Sequence, residues 1–271
     1  MTKSVRRPQK AYHNKRFLDG PDARPIRILA EYIEPKERFE EFQVEDTILV
    51  FGSSRIASRE DAIGALKKAK RDGRDVEAAE RRLEMSRYYE DTRALARRLT
   101  EWSKGIREGG RRFVICSGGG PGIMEAANRG ASEAKGENIG LAISLPDGEP
   151  GNSYITHRLS FEFHYFFMRK FWFLYLAKAA IILPGGFGTF DELMELLTLI
   201  QTRKVRKHLP IVLYGSDFWD KVIDFGPMVE YGVISPEDVD LFHRSDTVDD
   251  AFDYITRELE KSGLDQPGGS L

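Results

Sequence analysis

One cysteine in 271 residues, Cys116, has no partner for an intramolecular disulfide, so no covalent staple holds this chain together. It lies inside an apolar strand pattern, which fits a core thiol in a reducing compartment, and a cytoplasmic location is the expectation. No run of eighteen or more apolar residues occurs, which argues against a membrane-spanning helix and makes a membrane partner unexpected. Neither sign of charge dominates: 41 Lys and Arg stand against 43 Asp and Glu, for a formal net charge of −2. The broad basic field needed for non-specific nucleic-acid binding is therefore missing, and no nucleic-acid partner is expected. Histidine is sparse, and His157, His164, His208 and His243 show no paired-ligand spacing, so no metal site is expected. The basic N-terminus (Lys3, Arg6, Arg7, Lys10, Lys15, Arg16) lacks the apolar core of a signal peptide, and the first 20 residues read as a mobile or surface-draped arm.

What is present is a regular alternation. Apolar runs that read as buried strands recur at 47–52, 112–116, 139–144, 179–183 and 210–214, with a more polar candidate at 155–161 and a short one at 241–244. Between them lie helical patterns at 60–70, 76–104, 122–135, 163–178, 189–203 and 248–261. Near-continuous apolar strands alternating with helices predict an α/β fold, a Rossmann-like, doubly wound and mostly parallel sheet with helices on both faces. The expected organisation is an N-terminal extension over 1–44, a nucleotide-binding catalytic domain over 45–262 and a flexible tail over 263–271. The pattern at 163–178 carries Phe163, Phe166, Phe167, Phe171, Trp172, Phe173 and Tyr175 around its whole circumference. A helix apolar on every face must be covered on every face, so one side is expected on the sheet and the other on a second subunit of a homodimer.

Two glycine turns follow strand patterns and open helical ones. The first is Ser117-Gly118-Gly119-Gly120-Pro121-Gly122-Ile123-Met124-Glu125, and the second is Pro184-Gly185-Gly186-Phe187-Gly188-Thr189-Phe190-Asp191-Glu192. Strand, glycines and helix N-terminus in that order form an anion site, because backbone can approach the ligand and the first-turn N–H groups point at it. A third, weaker turn, Gly52-Ser53-Ser54-Arg55, follows the first strand pattern. In an open parallel sheet all three lie at the carboxyl edge, where ligands bind at the topological switch point. Gly118–Ile123 lacks the final glycine of the dinucleotide fingerprint, and no G-K-[ST] triplet exists for a Walker A loop. Nicotinamide redox chemistry and ATP hydrolysis are thereby disfavoured, and a mononucleotide or sugar phosphate fits better, with no cofactor required. The expected phosphate and nucleotide contacts are Ser53, Gly118, Gly119, Gly120, Gly122, Met124, Glu125, Gly185, Gly186, Gly188 and Thr189.

Glu192 and Arg169 are the candidates for chemistry, each with a plainer alternative. Thr189 and Glu192 have the T-x-x-E spacing of a helix capping box. Arg169 beside Lys170 could be a snorkelling side chain at a subunit rim, or a guanidinium fork on a phosphate or ribose. Glu125 could serve only the dipole of its own helix. Cys116 reads as core rather than nucleophile.

The two turns, with Met168-Arg169-Lys170 between them, resemble the Lonely Guy family, often labelled "lysine decarboxylase-like", over residues 45–260. The resemblance implies a phosphoribohydrolase, which hydrolyses a nucleoside 5′-monophosphate such as AMP or an N6-modified, cytokinin-type AMP to free base and ribose 5-phosphate. By motif position it implies Glu192 and Arg169 as the catalytic pair. Short members carry a histidine shortly before the arginine, where this chain has Phe166-Phe167-Met168, and they lack both the long N-terminal arm and the charged stretch at 67–87. Amino-acid decarboxylation would need a pyridoxal Schiff-base lysine, and Lys170 inside an aromatic helix is a poor one. The alternative is a non-catalytic nucleotide or molybdenum-cofactor carrier, since related folds bind that cofactor without turning it over. A carrier needs the phosphate turn but not the carboxylate.

Overall fold

The computed structural model describes residues 8–106, 110–146, 148, 151–262, 264 and 267–269. The start of the basic arm (Lys3, Arg6, Arg7) and most of the tail expected over 263–271 lie outside these residues. In chain order the elements are α1 (Lys15–Leu18), α2 (Arg24–Glu41), β1 (Thr47–Phe51), α3 (Arg59–Asp72), α4 (Val76–Lys104), β2 (Val114–Ser117), α5 (Ile123–Glu133), β3 (Asn138–Ile143) and β4 (Ser160–Phe163). They continue with α6 (Phe166–Leu176), β5 (Ala177–Ile182), α7 (Phe187–Gln201), β6 (Ile211–Tyr214), α8 (Ser216–Val222), α9 (Gly226–Glu230), β7 (His243–Ser245) and α10 (Val248–Ser262).

The seven strands form one sheet in the order β4-β3-β2-β1-β5-β6-β7, and every neighbouring pair is parallel. The chain winds outward from β1 to β4, then returns to the other side of β1 as β5, which puts the switch point between these two central strands. This is the doubly wound, Rossmann-like α/β fold expected from the alternation. Both faces of β1 are buried, as a central parallel strand requires. Leu49 and Phe51 enter one core with Trp172, Phe173, Leu193 and Trp219, while Ile48 and Val50 enter another with Tyr89, Leu95, Leu99, Ile123 and Ile255. Thus α6 and α7 cover one face, and α4, α5 and α10 the other. Cys116 is buried in the first core, and burial pushes its thiol pKa up, which disfavours the reactive thiolate.

Three differences from the sequence expectations bear on the site. The pattern at 163–178 splits into three elements: Phe163 ends β4, α6 spans only Phe166–Leu176, and Ala177 and Lys178 already belong to β5. Helix α7 begins at Phe187, earlier than expected, so Glu192 lies in its second turn. An unexpected helix, α2, docks on α6: Tyr32 packs its ring against Phe171 (5.5 Å) and Trp172 (5.8 Å), and Phe39 meets Trp172 at 5.4 Å. Much of the apolar surface assigned to a second subunit is therefore covered by the chain's own α2. Phe166 and Phe167 stay 50% and 54% exposed.

Candidate active site

The carboxyl ends of β1, β2 and β5 are stitched together by backbone. Ser53 N donates to Pro184 O (3.0 Å), and Ile123 N, the first amide of α5, donates to Ser53 O (3.1 Å). The short β1 turn thus bridges the two glycine turns, and it needs the glycines to do so. A Cβ on Gly52 would lie 2.6 Å from Ile123 Cγ2, and one on Gly122, at φ +70°, would lie 2.5 Å from Ser53 O. Ser53 also accepts a hydrogen bond from Arg55 N at its own hydroxyl (3.1 Å).

Past β5 the turn is built differently. Gly185 has no room for a side chain, because a Cβ there would overlap Thr189 Oγ1, whereas Gly186 and Gly188 face open space. Helix α7 has no side-chain cap, and its first i→i−4 bond runs from Phe190 N to Gly186 O (3.0 Å). The capping-box alternative for Thr189 and Glu192 is excluded, since Gly186 is the N-cap and Thr189 sits inside the first turn. The opening amides of α7 therefore meet an uncluttered glycine surface at the positive end of a helix dipole, the arrangement that takes a phosphate.

Glu192 and Arg169 come together beneath this turn. Arg169 Nη2 lies 3.7 Å from Glu192 Oε1, and both side chains are largely buried. Lys170 Nζ reaches Glu192 Oε2 at 3.5 Å, Asp191 at 2.8 Å and Glu195 at 2.6 Å, so one ammonium bridges three carboxylates of α7. Burial pushes the pKa of Glu192 up to about 7, against the lowering pull of Lys170 and Arg169 and with a further push from Glu195 and Asp191. A small cavity at the carboxyl is lined by Leu49, Phe51, Phe173 and Leu196, with Lys170 and Glu195 also on its wall. Burial works against the Lys170 charge, but its hydrogen bonds to Asp191 and Glu195 outweigh it and hold the pKa above the ordinary value. Burial lowers the pKa of Arg169, while Glu192 and Asp191 oppose this; a guanidinium starts high enough to stay charged. Its Cζ lies over the rings of Phe166 (5.1 Å) and Phe173 (5.5 Å).

Two atoms of this pair, Glu192 Oε1 and Arg169 Nε, are buried without a hydrogen-bond partner among the described residues. A buried polar atom without a partner is costly, so Glu192 Oε1 is free to accept a hydrogen bond from a bound molecule. A carboxylate poised near neutrality, a fixed cation and an adjoining anion turn can hold a phosphorylated substrate and stabilise positive charge developing on it.

The other expected residues divide. Met124 packs against Gly118, where a Cβ would meet its Sδ at 2.8 Å, and Gly119 adopts φ +74°. Gly119 O and Gly120 O both accept from Asn152 Nδ2 at 3.1 Å, within a buried network of Ser117, Asn128 and Asn138 that sequence reasoning missed. Glu125 accepts the Tyr89 hydroxyl (2.6 Å), so its carboxylate has a partner in α4 and is not grouped with Glu192. Lys170, Asp191 and Glu195 were also missed. Their signal was available as an acidic i, i+4 pair flanking the motif glutamate. Among the described residues no cluster of three or more His, Cys, Asp or Glu could hold a metal ion, and no helix is long and apolar enough to cross a membrane.

The family model described as "Possible lysine decarboxylase" matches residues 124–255, a span that includes Arg169 and Glu192. A pyrimidine/purine nucleotide 5′-monophosphate nucleosidase of Escherichia coli K12 is 29% identical over 174 residues, 58% of this chain and 36% of that protein. A cytokinin riboside 5′-monophosphate phosphoribohydrolase of Arabidopsis thaliana is 34% identical over 102 residues, 33% of this chain and 46% of that protein. The matches thus span less than half the length of either relative. A solved molybdenum cofactor carrier protein of Chlamydomonas reinhardtii is 15% identical over 80% of this chain and 99% of its own, with a TM-score of 0.46.

Proposed function

From a chain similar to the Lonely Guy family in its motifs and its relatives, we propose a nucleoside 5′-monophosphate phosphoribohydrolase, with AMP or an N6-modified AMP as the expected substrate. Water adds to the ribose C1′ and the C1′–N bond breaks, giving ribose 5-phosphate and the free base, which leaves with a proton. Gly186, Gly188 and the first-turn amides of α7 hold the 5′-phosphate, and that remote binding fixes the reacting carbon. Glu192, ionised, stabilises the oxocarbenium-like ribosyl cation and takes the proton of the attacking water; that proton balances the one the departing base takes up from solvent, and its release from Glu192 restores the carboxylate. Arg169 holds the carboxylate in line.

The observation that carries this reading is the buried Glu192 carboxyl, ion-paired with Arg169 but with no hydrogen bond at Oε1, near the open glycine turn that opens the same helix. A carrier would have no use for a carboxylate of raised pKa at that place. Glu192→Gln tests the assignment: turnover should fall by roughly two to four orders of magnitude, the usual contribution of a general base, while nucleotide binding measured by calorimetry persists. Near wild-type turnover in that variant would refute it.

We further infer a homodimer through the uncovered part of α6, supported by the exposure of Phe166 and Phe167 beside the site. The lone, buried Cys116 fits a reducing compartment such as the cytoplasm.

A further inference from the structure

Helix α6, which carries Arg169, has its N-terminus held from outside the sheet. Glu31, in the middle of α2, accepts the backbone N–H of His164 at Oε1 (2.8 Å) and that of Tyr165 at Oε2 (3.3 Å). The same residue's carbonyl accepts the Trp172 indole N–H (2.9 Å), so Glu31 grips α6 at its start and two turns further on. Arg38 repeats the arrangement at the preceding strand: its Nη1 donates to Ser160 O (3.0 Å) and Arg158 O (3.2 Å), with its guanidinium over Phe161. A carboxylate on the amides at a helix N-terminus also complements the dipole.

The consequence for the site runs through a single residue. Tyr165 N is held by Glu31, and Tyr165 O accepts both Met168 N (3.1 Å) and Arg169 N (3.2 Å), the bonds that join Arg169 to the start of α6. Arg169 then approaches Glu192 at 3.7 Å, beyond hydrogen-bond reach, with its own Nε unpartnered. That contact carries no hydrogen bond, and Lys170 ties the same helix to α7, so how well Arg169 holds the carboxylate depends on the placement of α6. We propose that Glu31 is a positioning residue for the reaction, acting through the first turn of α6 on Arg169 and Glu192, so that α2 is part of the catalytic unit.

This rests on the proposed hydrolase activity, and its test separates the two. Full-length Glu31→Ala and Glu31→Gln would be compared with wild type by steady-state kinetics on a nucleoside monophosphate, by thermal melting, and by amide hydrogen exchange over residues 164–170. Misplacement by a fraction of an ångström should lower kcat about tenfold or more in Glu31→Ala, with KM, set by the phosphate turn, within about twofold. Exchange at Tyr165–Arg169 should quicken, and Glu31→Gln, which keeps one acceptor oxygen, should fall between and serves where the alanine variant does not fold. A kcat within twofold of wild type, with only the melting temperature lowered, would make Glu31 a mere anchor and overturn the proposal. If wild type cleaves no nucleotide, the hydrolase reading fails; unchanged exchange at 164–170 would then overturn the positioning role independently.

Discussion

At the scale of the residue, the site is a contest over the charge of Glu192. Burial raises its pKa to about 7 while Lys170 and Arg169 pull it down. Lys170→Met removes one of the two cations and leaves Asp191 and Glu195 unbalanced beside it, so the acid limb of kcat should move up from about 7 by about one unit. A pH–rate profile checks this, and an unmoved limb would show that another group titrates. The same shift appears in stability, with a definite sign. Below pH 4.5 the carboxyl is protonated in both states; between 4.5 and about 7 the unfolded chain releases the proton first, so folding loses stability as pH rises, then levels off. Urea unfolding at pH 4.5 and pH 8 should show wild type losing roughly 3 kcal/mol relative to Glu192→Gln across that window. Equal pH dependence of the two proteins would contradict a raised pKa. The Lys170 bridge was half legible: Asp191 and Glu195 stand out as an acidic i, i+4 pair, but nothing in the chain brings Lys170 of α6 against α7 until the fold is known.

At the scale of the element, the two glycine turns share a sequence look but do different work. Gly122 and Gly185 are structural, each facing an atom that a Cβ would strike, whereas Gly186 faces open space. Gly185→Ala should therefore lower the melting temperature and activity together. Gly186→Ala should melt near wild type yet raise the KM for nucleotide roughly tenfold, because the methyl group enters the phosphate position. Equal melting losses in both would remove the distinction. Elements with a plain period were readable: α4 is found over the expected Val76–Lys104, with Tyr88, Tyr89, Thr92, Leu95, Ala96 and Leu99 buried along one stripe. The aromatic segment was not, because β4 passes into α6 through only His164 and Tyr165, and α6 runs into β5 with no loop at all. Helix α2 was hidden by its charge and by Pro25 and Pro35, which read as punctuation. Its signal was the stripe Ile28, Phe39 and Phe42, which faces the core, with Pro35 buried on the same helix.

At the scale of the whole molecule, the parallel order β2-β1-β5 brings three strand ends to one edge, and this convergence was legible before any contact could be known. What α2 does was not, since an apolar stripe outside the strand–helix alternation does not say which element it docks on. The exposed Phe166 and Phe167 predict self-association: sedimentation at micromolar concentration should give twice the 30.9 kDa chain mass, and Phe167→Glu should shift it toward the monomer. A monomer in the unaltered protein would leave that face to another role. The most direct test of the account is to incubate the protein with a panel of nucleoside 5′-monophosphates and follow products by chromatography. The account predicts free base and ribose 5-phosphate in equal amounts, with no release from the matching nucleosides that lack the phosphate. Tight nucleotide binding with no base released from any member of the panel would contradict it.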